Sequence, residues 1–200
     1  MQSLQMFCFS CTVSHVIVYC FDNFLDEALL SVLQTGEMIK PDAPAMLSSV
    51  SPESVSGKKF TGWPRLVFLY NKCPSSLMNY SSYCKMQEHL YSRFESSKFS
   101  FNDGCGSKML PIFSTANNTR SHPYSDVNLL LLPDVDKDPT TFSRASSVVR
   151  SAVLASPRIP FYTKDPAMPM SELTWHQFAT KAWEGVKRSK LFDDYTKMLP

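Results

Sequence analysis

The sequence predicts an α/β fold built on a parallel sheet, and two observations predict it. Three apolar runs rich in β-branched or leucine residues, VSHVIVYCF at 13–21, RLVFLYN at 65–71 and VNLLLL at 127–132, read as strands covered on both faces. Between and after them lie stretches whose apolar residues recur at three- and four-residue steps, the mark of amphipathic helices. Strand, helix, loop, strand, helix, strand, helix is the pattern of parallel strands joined by crossover helices. Three strong strands are few for a complete doubly wound sheet, so the chain reads as the later part of an α/β domain.

Each element has its own signal. After the first strand, Phe24, Leu25, Ala28, Leu29, Val32 and Leu33 form a helical stripe. Asp22 or Asn23 suits its cap, and Gly36 with Pro41 its end. Residues 41–64 are rich in Ser, Pro and Gly and read as a loop. Residues 77–98 read as a helix on the stripe Leu77, Tyr80, Cys84, Leu90 and Phe94, and 141–155 as a weaker one. The last helix has Thr174 and Gln177 at capping-box spacing. Its apolar face is Trp175, Phe178, Ala179, Ala182, Trp183 and Val186, and Lys187, Arg188 and Lys190 lie near its end. Leu191, Phe192, Tyr195 and Leu199 continue as a short final helix.

Composition narrows the function classes. The chain has 200 residues, 44% apolar and 12% aromatic, which excludes wholesale disorder. Twenty basic residues nearly cancel 18 acidic ones, for a net charge of +2, which excludes a strongly electrostatic nucleic-acid binder. Six glycines disfavour a phosphate-cradling loop, and 14 prolines suit long connections. Six cysteines are too few to be the scaffold of a chain this size. Cys20 and Cys73 sit in or beside apolar runs, where a reduced thiol acts as a small hydrophobe. A reducing compartment is expected.

Residues 1–21 carry no Asp, Glu, Lys or Arg, which raises a membrane-tethered reading. A signal peptide needs a basic start, and a spanning helix needs about 20 mainly apolar residues. Gln2, Ser3, Gln5, Ser10, Thr12, Ser14 and His15 interrupt this stretch, so a buried strand is expected with the chain starting almost directly in it.

The motifs that carry chemistry mostly fail. Cys8, Cys11, His15 and Cys20 fall one residue short of a zinc-knuckle spacing, but HVIVYC at 15–20 is built for extension, not for a sharp turn. Pro52–Lys59 has Pro where a P-loop needs its first Gly, and Gly104–Lys108 has its residues in the wrong order. No Gly-x-Ser-x-Gly elbow is present, and His89, His122 and His176 name no nucleophile's base. Asp134, Asp136 and Asp138 lack the Gly and Glu of a calcium loop and read as solvating a strand end. No metal site is expected. Asn71 and Lys72 end a buried strand, where ligands of open parallel sheets collect, and an Asn-Lys pair suits base recognition. Pro74 stands where guanine recognition would need an Asp.

Residues 173–199, LTWHQFATKAWEGVKRSKLFDDYTKML, resemble the C-terminal signature of one family. It is that of the ninth SMG factor, the G-domain-like accessory subunit of the SMG kinase complex in nonsense-mediated mRNA decay. CTVSHVIVYCFDNFLDEALLSVLQTGEMIKP, LVFLYNK and SDVNLLLLPDVD fit in the same order. The resemblance implies an incomplete P-loop GTPase-like doubly wound sheet with a C-terminal amphipathic helix, the P-loop half falling before Met1. Residues 1–170 would be the C-terminal part of a degenerate G-like domain, with loops near 41–64 and 100–125, and 171–200 a Trp-containing helical segment. It further implies a cytoplasmic, non-catalytic regulator that binds a second G-like subunit and the large phosphatidylinositol-3-kinase-like kinase, with no membrane and no direct nucleic acid. ATP or a guanine nucleotide is implied only for the intact family fold. Asn71 and Lys72 match its base-recognition position, and Trp175, Phe178 and Trp183 are the expected partner or helix-docking residues. A weak nucleotide binder of the GTPase-like class and an inert truncated product are the alternatives.

Overall fold

The computed structural model describes residues 2–24, 26–39, 63–113, 126–156 and 171–198. It is mixed α/β, with a three-stranded parallel sheet and, among the described residues, six α-helices. The chain divides into two compact units, one holding residues 16–26 and 65–158, the other 1–15, 27–64 and 159–200.

The sheet unit contains β1 (Val16–Phe21), β2 (Arg65–Cys73) and β3 (Leu129–Pro133), in the order β1-β2-β3 with both pairings parallel. β1 and β2 pair without a break from Val16↔Arg65 to Phe21↔Tyr70. The β2–β3 register shifts between Tyr70 and Cys73, and Lys72 within that irregularity takes a φ of 52°. That is the left-handed region, costly for a residue with a Cβ. All three expected strands are present, but β1 stands at the edge of the sheet and exposes Val18 and Cys20, so it is not covered on both faces as expected.

Helix α3 (Tyr80–Phe94) follows β2 and is capped by Asn79, whose side chain accepts from the Ser82 N–H. It buries Tyr83, Cys84, Met86, Gln87, Leu90 and Phe94, so the expected stripe misses Met86 and also the polar pair Tyr83 and Gln87, while Tyr80 is half-buried. For that pair the reason is polar bonding in the core. The Tyr83 hydroxyl bonds to the carbonyls of Gly106 and Leu129, and the Gln87 amide donates to the Val127 carbonyl. A 3₁₀ turn over Gly106–Ile112 lies in the stretch read as loop. Helix α4 (Pro139–Leu154) starts two residues before its expected range. Asp138 caps it by accepting from the Thr141 N–H, and the Thr141 backbone and hydroxyl hold its carboxyl below the usual carboxylate range.

Two buried polar residues hold the entrance to β2. The Arg65 guanidinium makes an ion pair with Asp103 and donates through Nη1 to the Ser156 hydroxyl at 2.8 Å. The Asn128 amide donates to the Leu66 carbonyl and accepts from the Cys105 N–H. A buried guanidinium is tolerated only with its donors engaged, as these are.

The helical unit contains α1 (Gln2–Val13), α2 (Glu27–Ile39), α5 (Glu172–Lys187) and α6 (Lys190–Met198). Helix α1 corrects the expectation that the chain starts almost directly in a strand. Leu4, Cys8, Cys11 and Thr12 are buried at helical spacing, while the remaining positions are uncharged, so the polar face gave no signal. Two of its hydroxyls bond back within the helix, Ser10 donating to the Met6 carbonyl and Thr12 to that of Cys8. Among the described residues no helix is long and apolar enough to cross a membrane.

Helix α2 starts three residues later than its stripe suggested and runs through Gly36. Among its described side chains Leu30, Leu33 and Ile39 are buried, as is Gly36, and Val32 is exposed. Gly36 is no terminator. A Cβ at this position would overlap the Phe7 ring of α1, so the glycine admits that ring into the helix contact. The cap of α5 is Ser171, not Thr174. The Ser171 hydroxyl accepts from the Thr174 N–H and shares a hydrogen bond with the Thr174 hydroxyl. The expected loop at 41–64 lies, apart from Trp63 and Pro64, outside the described residues, as do 114–125.

Candidate functional site

The carboxyl ends of β1 and β2 bring together the polar residues with the best claim to a site. Because Phe21 is the register partner of Tyr70, the next residues, Asp22 and Asn71, emerge side by side. The Asn71 amide donates to Asp22 Oδ1 at 3.1 Å, and the Lys72 ammonium lies 3.9 Å from Asp22 Oδ2. Both Asp22 and Lys72 are more than half exposed, so this pair is worth at most about 1 kcal/mol. Asp22, with Asn23, is one of the two expected caps of the following helix. With α2 starting at Glu27, it is instead a strand-end carboxylate.

Beneath this corner lies an aromatic layer. Phe21 and Tyr70 stack at 5.5 Å with a 16° interplanar angle, Phe24 lies 5.8 Å from Tyr70, and His89 meets Phe24 at 6.5 Å. Burial raises the Tyr70 hydroxyl pKa most, Cys73 and Asp22 add to it, and a backbone bond from Phe24 opposes it. Burial followed by the Asp26 charge pushes the Tyr19 hydroxyl up to about 12, and burial does the same to the Cys73 thiol. The Tyr19 hydroxyl and His89 Nε2 are buried atoms without a hydrogen-bond partner.

In the glycine stretch at 104–108, three N–H groups are engaged within the protein. Gly104 donates to the Asp126 carbonyl, Cys105 to the Asn128 side chain and Lys108 to the Cys105 carbonyl. Asp134 bonds the Asp136 N–H and pairs with Lys137, while Asp138 caps α4. Among the described residues no three His, Cys, Asp or Glu side chains gather where a metal could be held. Cys8 and Cys11 are buried on α1, whereas Cys20 is exposed, which corrects its reading as a small core hydrophobe. Pro52–Lys59 and His122 lie outside the described residues.

The expected docking residues separate. Phe178 is buried, packing with Val13, Ala179 and Ala182 and with Phe9 at their margin. Trp183 is half-buried, with its ring edge-on to Phe9 at 5.4 Å and Lys187 Nζ 5.8 Å above it. Trp175 is 40% exposed, yet its indole N–H donates to the Val13 carbonyl at 3.1 Å. Within this unit, then, α1 covers the inner face of α5, and Trp175 keeps a free rim.

These features define a mixed α/β protein with a parallel sheet whose loop ends carry an Asp-Asn-Lys cluster over an aromatic layer. No protein-family model matches the chain. Over its whole length it is similar to the nonsense-mediated mRNA decay factor SMG9 of Xenopus laevis and that of Xenopus tropicalis, each 30% identical over 233 residues, 100% of this chain and 43% of the relative. The Salmo salar factor of the same name is 26% identical over 229 residues, 99% of this chain and 43% of the relative. The chain is a homologue of these factors, as the ordered matches in its sequence implied. It spans less than half of their length.

Proposed function

We propose that this chain acts in nonsense-mediated mRNA decay as a regulatory, non-catalytic, cytoplasmic subunit of the SMG protein-kinase complex. It works by binding a second G-like subunit as a heterodimer and, with it, the large phosphatidylinositol-3-kinase-like kinase. The observation that carries the reading is similarity along the entire chain to factors named for that pathway. Three parallel strands in chain order support the G-like fold proposed for residues 1–170, with 171–200 as its helical extension. Trp175 supports a partner contact by α5, since it is a large aromatic held in place with an exposed rim.

Affinity purification of the tagged chain from its own cells, with mass spectrometry of the co-purifying proteins, tests this. The G-like partner and the large kinase should be recovered together. Recovery of chaperones alone would sink the proposal and favour an inert product.

The nucleotide reading rests on Asn71 and Lys72, and both are already engaged by Asp22. Calorimetry with ATP, GTP and GDP decides it, and no saturable heat at millimolar concentration would sink it. A saturable signal lost in Asn71→Ala would establish the nucleotide reading instead.

A further inference from the structure

We draw no further inference here: the strongest candidate, the outer edge of β1, unpaired among the described residues and free of charged side chains, proline or a bulge, carries nothing because nothing in the structure shows what covers it.

Discussion

The indole N–H of Trp175 donates to the main-chain carbonyl of Val13, joining α5 to the last residue of α1 across 162 positions of sequence. A carbonyl at a helix C-terminus has no partner within its own helix, so the tryptophan fills a vacancy that the helix leaves by construction. The bond ties a residue that is 40% exposed to the neighbouring helix.

Replacing Trp175 by Phe removes that donor and keeps most of the ring. Urea unfolding should show a loss of about 1 kcal/mol, the usual net worth of such a bond. Trp183→Ala removes the edge-on contact with Phe9 and should cost about 2 kcal/mol, below the 3–5 typical of a fully buried Trp because this one is only half-buried. Equal stability of both variants with the parent would show that α5 does not rest on α1 as described.

Gly36→Ala opposes two effects of known size. Alanine favours a helix interior by about 1 kcal/mol over glycine, while crowding a packed ring costs typically 1–3 kcal/mol. With the Phe7 ring filling the space, crowding wins, and the variant should be less stable by about 1 kcal/mol. Phe7→Leu in the same chain should recover part of that loss, giving a positive coupling in a double-mutant cycle. Additive losses would mean that the two residues do not interlock.

Arg65→Met tests the buried guanidinium. Its side chain is 7% exposed, and that of Asp103 is 28% exposed. Removing the guanidinium leaves the Asp103 carboxylate without its counter-charge, while Ser156 keeps its bond to the Ala152 carbonyl, at a cost of about 3 kcal/mol. Arg65→Lys should recover less than half of it, because one ammonium cannot reach both Asp103 and Ser156 in the geometry of the fork. Thermal unfolding of the three chains decides the order.

Stability should fall at alkaline pH, with the direction set by two groups. Burial raises the Cys73 thiol from 9.0 to about 12, and burial with the Asp26 charge raises the Tyr19 hydroxyl from 10.0 to about 12. Above the ordinary value the unfolded chain gives up its proton while the folded chain keeps it. The folded state then binds more protons, and stability drops as pH rises from about 9 toward about 12. Tyr19→Phe removes a buried hydroxyl that has no partner, so it should raise stability near neutrality by up to about 1 kcal/mol and flatten the decline above about pH 10. A lower unfolding midpoint for Tyr19→Phe at pH 7 would count against an unpaired hydroxyl.

Runs such as RLVFLYN and VNLLLL declare their own conformation, because a strand buried on both faces must be apolar along its whole length. The sequence alone therefore determined three parallel strands, the amphipathic face of α5, and a homology carried by ordered motifs. Helix α1 escaped detection because an uncharged exposed face hides the contrast that marks an amphipathic helix. Asp22 was legible only as a candidate cap, since its partners Asn71 and Lys72 stand 49 or more positions away. Their meeting depends on the register of Phe21 against Tyr70, which is a property of strand pairing and not of any local segment. Gly36 shows the same division. Its spacing suggested a helix end, but the Phe7 ring in the neighbouring helix made it a point of contact, and only tertiary packing supplies that ring.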